Sequence, residues 1–109
     1  MKYLALIHRN AGIEPDGDLY QAYESLAKDL AEKGTLLGGN PVQPASKGVC
    51  VQVVDGQVVS TPGAFGDSPH SLVGYFLLEC ETDEEAQATA ARIPDAATGT
   101  IEVRPILEH

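Results

Sequence analysis

Two segments of this chain, Tyr3 to His8 and Leu72 to Cys80, are apolar on both faces of any strand they form. In the first, Tyr3, Ala5 and Ile7 fall on one side and Leu4, Leu6 and His8 on the other. Strands of this kind need cover on both sides. The remaining sequence offers two helical segments, and the element order β-α-β, hairpin, β-α-β brings both to one face of a sheet. The second face must be buried by something else. A second copy of the chain is the economical answer, because twofold homodimers are the commonest soluble oligomers. The expectation is an α+β, ferredoxin-like sheet with two helices on one face, in a homodimer whose facing sheets enclose a cavity.

The individual elements rest on local signals. Leu19, Tyr23, Leu26 and Leu30 recur at three- and four-residue steps, with Tyr20 and Ala27 beside them. Glu24, Lys28 and Glu32 fall on the opposite face, and Gly34 stands where a C′ glycine belongs, which predicts a helix over 17–33. Thr35 to Leu37 predicts a short strand stopped at Gly38-Gly39-Asn40-Pro41, where proline removes a ladder donor. Gly48 to Val54 and Gln57 to Ser60 flank Asp55-Gly56, a strong hairpin signal. Thr61 to Ser71 reads as a Gly/Pro-rich loop, and Leu72 to Cys80 as a central strand. Thr82-Asp83-Glu84-Glu85 has the form of a capping box, which starts a second helix ending near Ile93-Pro94, with Ala86, Ala90 and Ile93 as its apolar stripe. Thr100 to Arg104 is the last strand, Ile101 and Val103 inward and Glu102 and Arg104 on the other face.

Composition narrows the partners. The chain has 109 residues and a formal charge of −9, with no cluster of Lys and Arg of the kind that nucleic acids or anionic membranes require. No apolar run reaches the roughly 18 residues of a membrane span, and Tyr3 to Ile7 is too short for a signal sequence. A cytoplasmic location follows, with Cys50 and Cys80 as reduced, buried thiols. Leu107-Glu108-His109 is read as the start of a vector-encoded purification tag, leaving 1–106 as one domain. Neither a metal nor another cofactor is expected: histidine spacing is not paired, there is no Cys-x-x-Cys, and the glycine clusters lack phosphate-loop spacing.

Six stretches in order carry a resemblance. They are Met1-Lys2-Tyr3-Leu4-Ala5-Leu6-Ile7, Gly34-Thr35-Leu36-Leu37-Gly38-Gly39, the Asp55-Gly56 hairpin, Leu72-Val73-Gly74-Tyr75-Phe76, Ala91-Arg92-Ile93-Pro94 and Ile101-Glu102-Val103-Arg104-Pro105. Together, from Met1 to Ile106, they resemble the YCII-related family, in its DGPF-domain branch. The resemblance implies a dimeric α+β barrel. It also implies small enzymes acting on ring-cleavage products for some members, and an association with sigma factors for DGPF members. The namesake motif departs here: Pro62-Gly63-Ala64-Phe65 stands in place of Asp-Gly-Pro-Phe, and Asp67 matches a position usually acidic in the family. In the YCII branch a histidine near the start of the first helix, paired with an aspartate, is the proposed catalytic element. Spacing back from Gly34 puts Tyr23 there, so that chemistry does not carry over.

The residues themselves nominate several groups. His8, at a strand end, suits a general base near neutral pH, as does an Asp67/His70 pair three apart in the loop. Arg104 and Arg9 suit a carboxylate clamp, against the plainer reading of Arg104 as a cross-strand partner of Glu102. Tyr23, in the apolar stripe of the first helix, and Phe65, the aromatic kept from the motif, complete the candidate substrate contacts. Two functions stay open. One is a small-molecule-binding homodimer performing cofactor-free proton transfer, an isomerisation or elimination, on a small carboxylated compound. The other is a non-catalytic accessory or regulatory module.

Overall fold

The computed structural model describes residues 1–66 and 70–108. Four strands form an antiparallel sheet: β1 (Lys2–Asn10), β2 (Leu36–Pro41), β5 (His70–Glu79) and β6 (Thr100–Pro105), in the order β2-β5-β1-β6. Two helices, α1 (Gly17–Glu32) and α2 (Asp83–Ala91), pack on one face. The hairpin of β3 (Val49–Val54) and β4 (Gln57–Pro62) makes a separate two-stranded sheet. This is the ferredoxin-like plan with an inserted hairpin.

β1 lies centrally, and its alternation decides the layers. Tyr3, Ala5 and Ile7 are buried beneath the helices with Leu78, Leu26, Leu30, Ala86, Ala90 and Ile93. Register places Leu4 opposite Leu77 and Arg104, Leu6 opposite Tyr75 and Glu102, and His8 opposite Leu72 and Thr100, so all of these share the uncovered face. Within a single chain that face is half-buried or exposed.

The caps follow the sequence closely. Asp16 accepts from the amide of Leu19 at 2.8 Å at the start of α1, and Gly34 takes the positive φ, +76°, that terminates it. Thr82 accepts from Glu85 N at 3.1 Å, while the Glu85 carboxylate reaches back to Glu81 N, one residue before the cap. Asp55 and Gly56, with φ of +50° and +77°, make the hairpin turn.

Three expectations are corrected. β2 does not stop at Leu37 but runs to Pro41, because it is an edge strand on which proline's missing N–H faces away from β5. A bulge at Leu37 lets Gly38 through Pro41 pair with Leu77 through Gly74. α2 ends at Ala91, before Ile93-Pro94, and the proline instead opens a 3-10 turn, Pro94–Ala97. Cys50 is only half-buried in the hairpin, whereas Cys80 is buried; both are free thiols.

The turn Pro94–Ala97 packs against β1, β6 and α1, and Gly99 returns the chain to β6. A Cβ at Gly99 would overlap the backbone carbonyl of His8 and lie 3.1 Å from Asp95 O and 3.2 Å from Asn10 N. All three are backbone atoms that cannot swing aside. Gly99→Ala is therefore expected to cost about 2 kcal/mol and lower the Tm by roughly 10 °C, which differential scanning calorimetry measures.

Candidate functional site

Between α1 and the β2-β5 half of the sheet lies a cavity of about 320 Å³, within the range of small-molecule sites. Its walls are apolar: Ile7 from β1, Leu36 from β2, and Val73 and Phe76 from β5. Tyr23 stands edge-on to Phe76, ring centroids 6.3 Å apart at 79°. Gly39 keeps the β2 side flat, since a Cβ there would come within 2.5 Å of Tyr75 O and 2.7 Å of Phe76 Cδ1. Glu24 and Tyr20 complete the polar part of the lining; Asn40 and Tyr75 also border the cavity, but their register places their side chains on the uncovered face, where Asn40 Nδ2 donates to Tyr75 Oη at 3.2 Å.

Arg9 and Tyr23 are the polar groups of this cavity that share a buried partner. β1 continues its alternation past Ile7, which aims Arg9 to the helix side, and Tyr23 comes from the inner stripe of α1. Behind both lies Asp95 from the turn Pro94–Ala97, only 1% exposed. Arg9 grips its carboxylate with two hydrogen bonds, Nε to Oδ1 at 3.0 Å and Nη2 to Oδ2 at 2.9 Å. Tyr23 donates a short hydrogen bond, 2.5 Å, to Oδ2.

The electrostatics follow from this geometry. Burial pushes the Asp95 carboxyl upward, but the hydrogen bonds from Arg9 and Tyr23 and the guanidinium charge outweigh it and hold the group below the ordinary carboxylate range. The Asp95 hydrogen bond raises Arg9 further. Burial and the bond to Asp95 raise the Tyr23 phenol, so it stays protonated. Its proton is donated in the hydrogen bond to Asp95, leaving the phenol oxygen as an acceptor toward the cavity.

The other nominated residues lie elsewhere. His8 and Arg104 are on the uncovered sheet face, both against Glu102: His8 Nε2 is 3.7 Å from Oε1, and Arg104 Nε donates to Oε2 at 2.6 Å. Arg104 is thus paired with Glu102, but along the same strand, two residues away on β6, and not across strands. Phe65 is 93% exposed beyond β4 and does not line the cavity. His70 opens β5 opposite Asn10, and Asp67 lies outside the described residues. Sequence reasoning missed Asp95, which directly follows the proline expected to end the second helix. It also missed Glu24 as a lining residue, having assigned it to the solvent face.

Removing one partner of the buried pair strands a charge, so Asp95→Asn is expected to destabilise the fold by about 3 kcal/mol. Because the folded-state carboxyl lies below its unfolded value, its contribution is present above the unfolded pKa of about 3.9 and is lost as pH falls through the folded value. Chemical denaturation from pH 7 downward should show wild-type stability declining below about pH 4. Asp95→Asn should lack that part of the decline.

Comparisons with known proteins agree with this fold. An uncharacterized protein of Rhizobium meliloti (strain 1021) is 24% identical over 95 residues, covering 85% of this chain and 77% of the relative. Among solved structures, the 5-chloro-2-hydroxyhydroquinone dehydrochlorinase of Burkholderia phenoliruptrix AC1100, in complex with 2,5-dihydroxybenzoquinone, superposes with a TM-score of 0.55 at 15% identity, covering 100% of this chain and 96% of that one. The YCII-related domain matches residues 1–109, and the chain belongs to that family.

Proposed function

We propose that the cavity under α1 binds a small ring compound bearing an acidic hydroxyl, and that the protein moves a proton from it without a resident cofactor, in an elimination or isomerisation. The observation that carries this reading is the chain Tyr23–Asp95–Arg9 at the back of an apolar cavity. A ligand hydroxyl donating to Tyr23 Oη extends that chain. Its proton passes to Tyr23 as the Tyr23 proton passes to Asp95 Oδ2. The electron pair left on the ligand oxygen moves into the ring, and the halogen-bearing ring carbon takes up a proton from solvent, giving the keto tautomer; this is the isomerisation. Elimination follows when a second ring hydroxyl, conjugated to that now tetrahedral carbon, loses its proton and its electron pair shifts through the ring to expel halide.

Asp95 is a weak base, since its carboxyl is held low, so the relay suits only an acidic donor such as a halogenated phenol, a hydroxyquinone or a conjugated enol. The dehydrochlorinase with the related fold acts on a compound of that kind, as its name states. Arg9 is less suited to clamping a carboxylate, because its Nε and Nη2 already hold Asp95. A non-catalytic accessory module is expected to have a filled interior, so the open cavity favours the enzymatic reading over it.

Halide release from a chlorinated hydroxyhydroquinone tests the reading. Tyr23→Phe is expected to lower kcat at least about 100-fold, while His8→Ala and His70→Ala leave the rate within about twofold. Loss of turnover on His8→Ala with Tyr23→Phe active would move the chemistry to the other sheet face.

The same proposal includes a homodimer. The chain measures 47 × 40 × 19 Å with a radius of gyration of 15.6 Å, against the roughly 13 Å of a compact domain this size. That flat shape is one sheet and one helix layer, with Leu4, Leu6 and Leu77 on the uncovered side. The hairpin valines add to the accessible apolar surface, Val53 at 69% and Val58 at 71%. Light scattering is expected to give a dimer mass, and Leu6→Asp a monomer.

A further inference from the structure

Arg9 is the cation that lines the cavity among the described residues, and its charge is matched by a carboxylate lying directly behind it. The pair is bidentate, Asp95 is 1% exposed and the Arg9 side chain 15%, so solvent does little to loosen it. The other ionised group of the lining is Glu24, a second negative charge on α1. The phenols facing this space are Tyr20 and Tyr23 from α1, and β2 contributes only uncharged side chains. The chain as a whole carries −9. A ligand that arrives as an anion therefore meets no uncompensated positive charge, must shed its hydration among apolar walls, and lies near two carboxylates.

We infer that Asp95 sets the charge selectivity of this cavity: by cancelling Arg9 it makes the site take ring acids in their protonated, uncharged form and reject the corresponding carboxylates. The inference rests on the cavity being the ligand site proposed above, and it adds which ligands enter and which residue decides. A neutral hydroxyl finds an acceptor in Tyr23 Oη, whose own proton is directed to Asp95 in a hydrogen bond. A carboxylate finds there only the oxygen of a protonated phenol that is donating elsewhere. Asp95 is thus a positioning and specificity residue that acts through Arg9 and Tyr23, not a contact in the cavity wall.

Calorimetric titration of the intact protein with phenol and with benzoate, two probes of similar size, tests this at neutral pH. Phenol is expected to bind at least about tenfold more tightly than benzoate, and Asp95→Asn, which frees the Arg9 charge, to narrow or reverse that preference. Glu24→Gln should leave the order of the two probes unchanged. Where Asp95→Asn does not fold, para-nitrophenol titrated against the unaltered protein decides the matter, its affinity falling as pH rises through the pKa of the probe itself. Benzoate binding as well as phenol overturns the inference and leaves the cavity reading standing. So does a preference reversed by Glu24→Gln alone. Failure of every probe to bind overturns the cavity reading and the inference with it.

Discussion

A single carboxylate, Asp95, joins three parts of the chain that the topology alone would leave loosely associated. Arg9 comes from the end of the central strand, Tyr23 from the inner stripe of α1, and Asp95 from the turn after α2, eighty-six residues beyond Arg9. A buried charge is tolerated only when it is fully compensated, and here two N–H donors and one phenol compensate it. Those bonds hold α1 against the sheet at the end where the hydrophobic cluster of Leu26 and Leu30 no longer reaches, and this keeps a space open there.

The same carboxylate defines the polar character of that space. Without it, Arg9 would present a bare guanidinium and Tyr23 an unengaged phenol to an otherwise apolar cavity. With it, the cavity has an acceptor oxygen, a neutralised cation and a direction along which a proton can travel. Gly39 and the edge-on contact of Tyr23 with Phe76 then give the space its flat shape. Packing and electrostatics are set by one constellation.

Much of the architecture was legible because it is encoded locally. The stripe of α1, the Thr82 cap, the Asp55-Gly56 turn and the two-faced strands are each read from a few neighbouring residues, and the structure places them accordingly. β2 was only half legible, because propensity rules treat Gly-Gly-Asn-Pro as a stop, and only tertiary position, at the edge, makes the extension possible. The site was least legible. Tyr23 and Arg9 were each visible as candidates, but the aspartate that unites them carries no local signature and is reached only through a long-range contact. Proximity to a strand end singled out His8, yet its place in the alternation puts it on the opposite face from Arg9, the next residue along.

The two edges of the four-stranded sheet differ from the hairpin in a way that bears on how copies of the chain meet. β2 ends on Pro41 after two glycines, and β6 carries Glu102 and Arg104 and ends on Pro105, so neither rim is a good template for adding another strand. The segment Val49–Val54, with sequence VCVQVV, has no charge and no proline, and its valines are largely uncovered in one chain. It is the kind of six-residue stretch from which cross-β stacks grow. Colloidal instability of this protein therefore has an address: concentrated or partly unfolded material will clump through the hairpin, while the sheet that carries the cavity is protected at both of its margins.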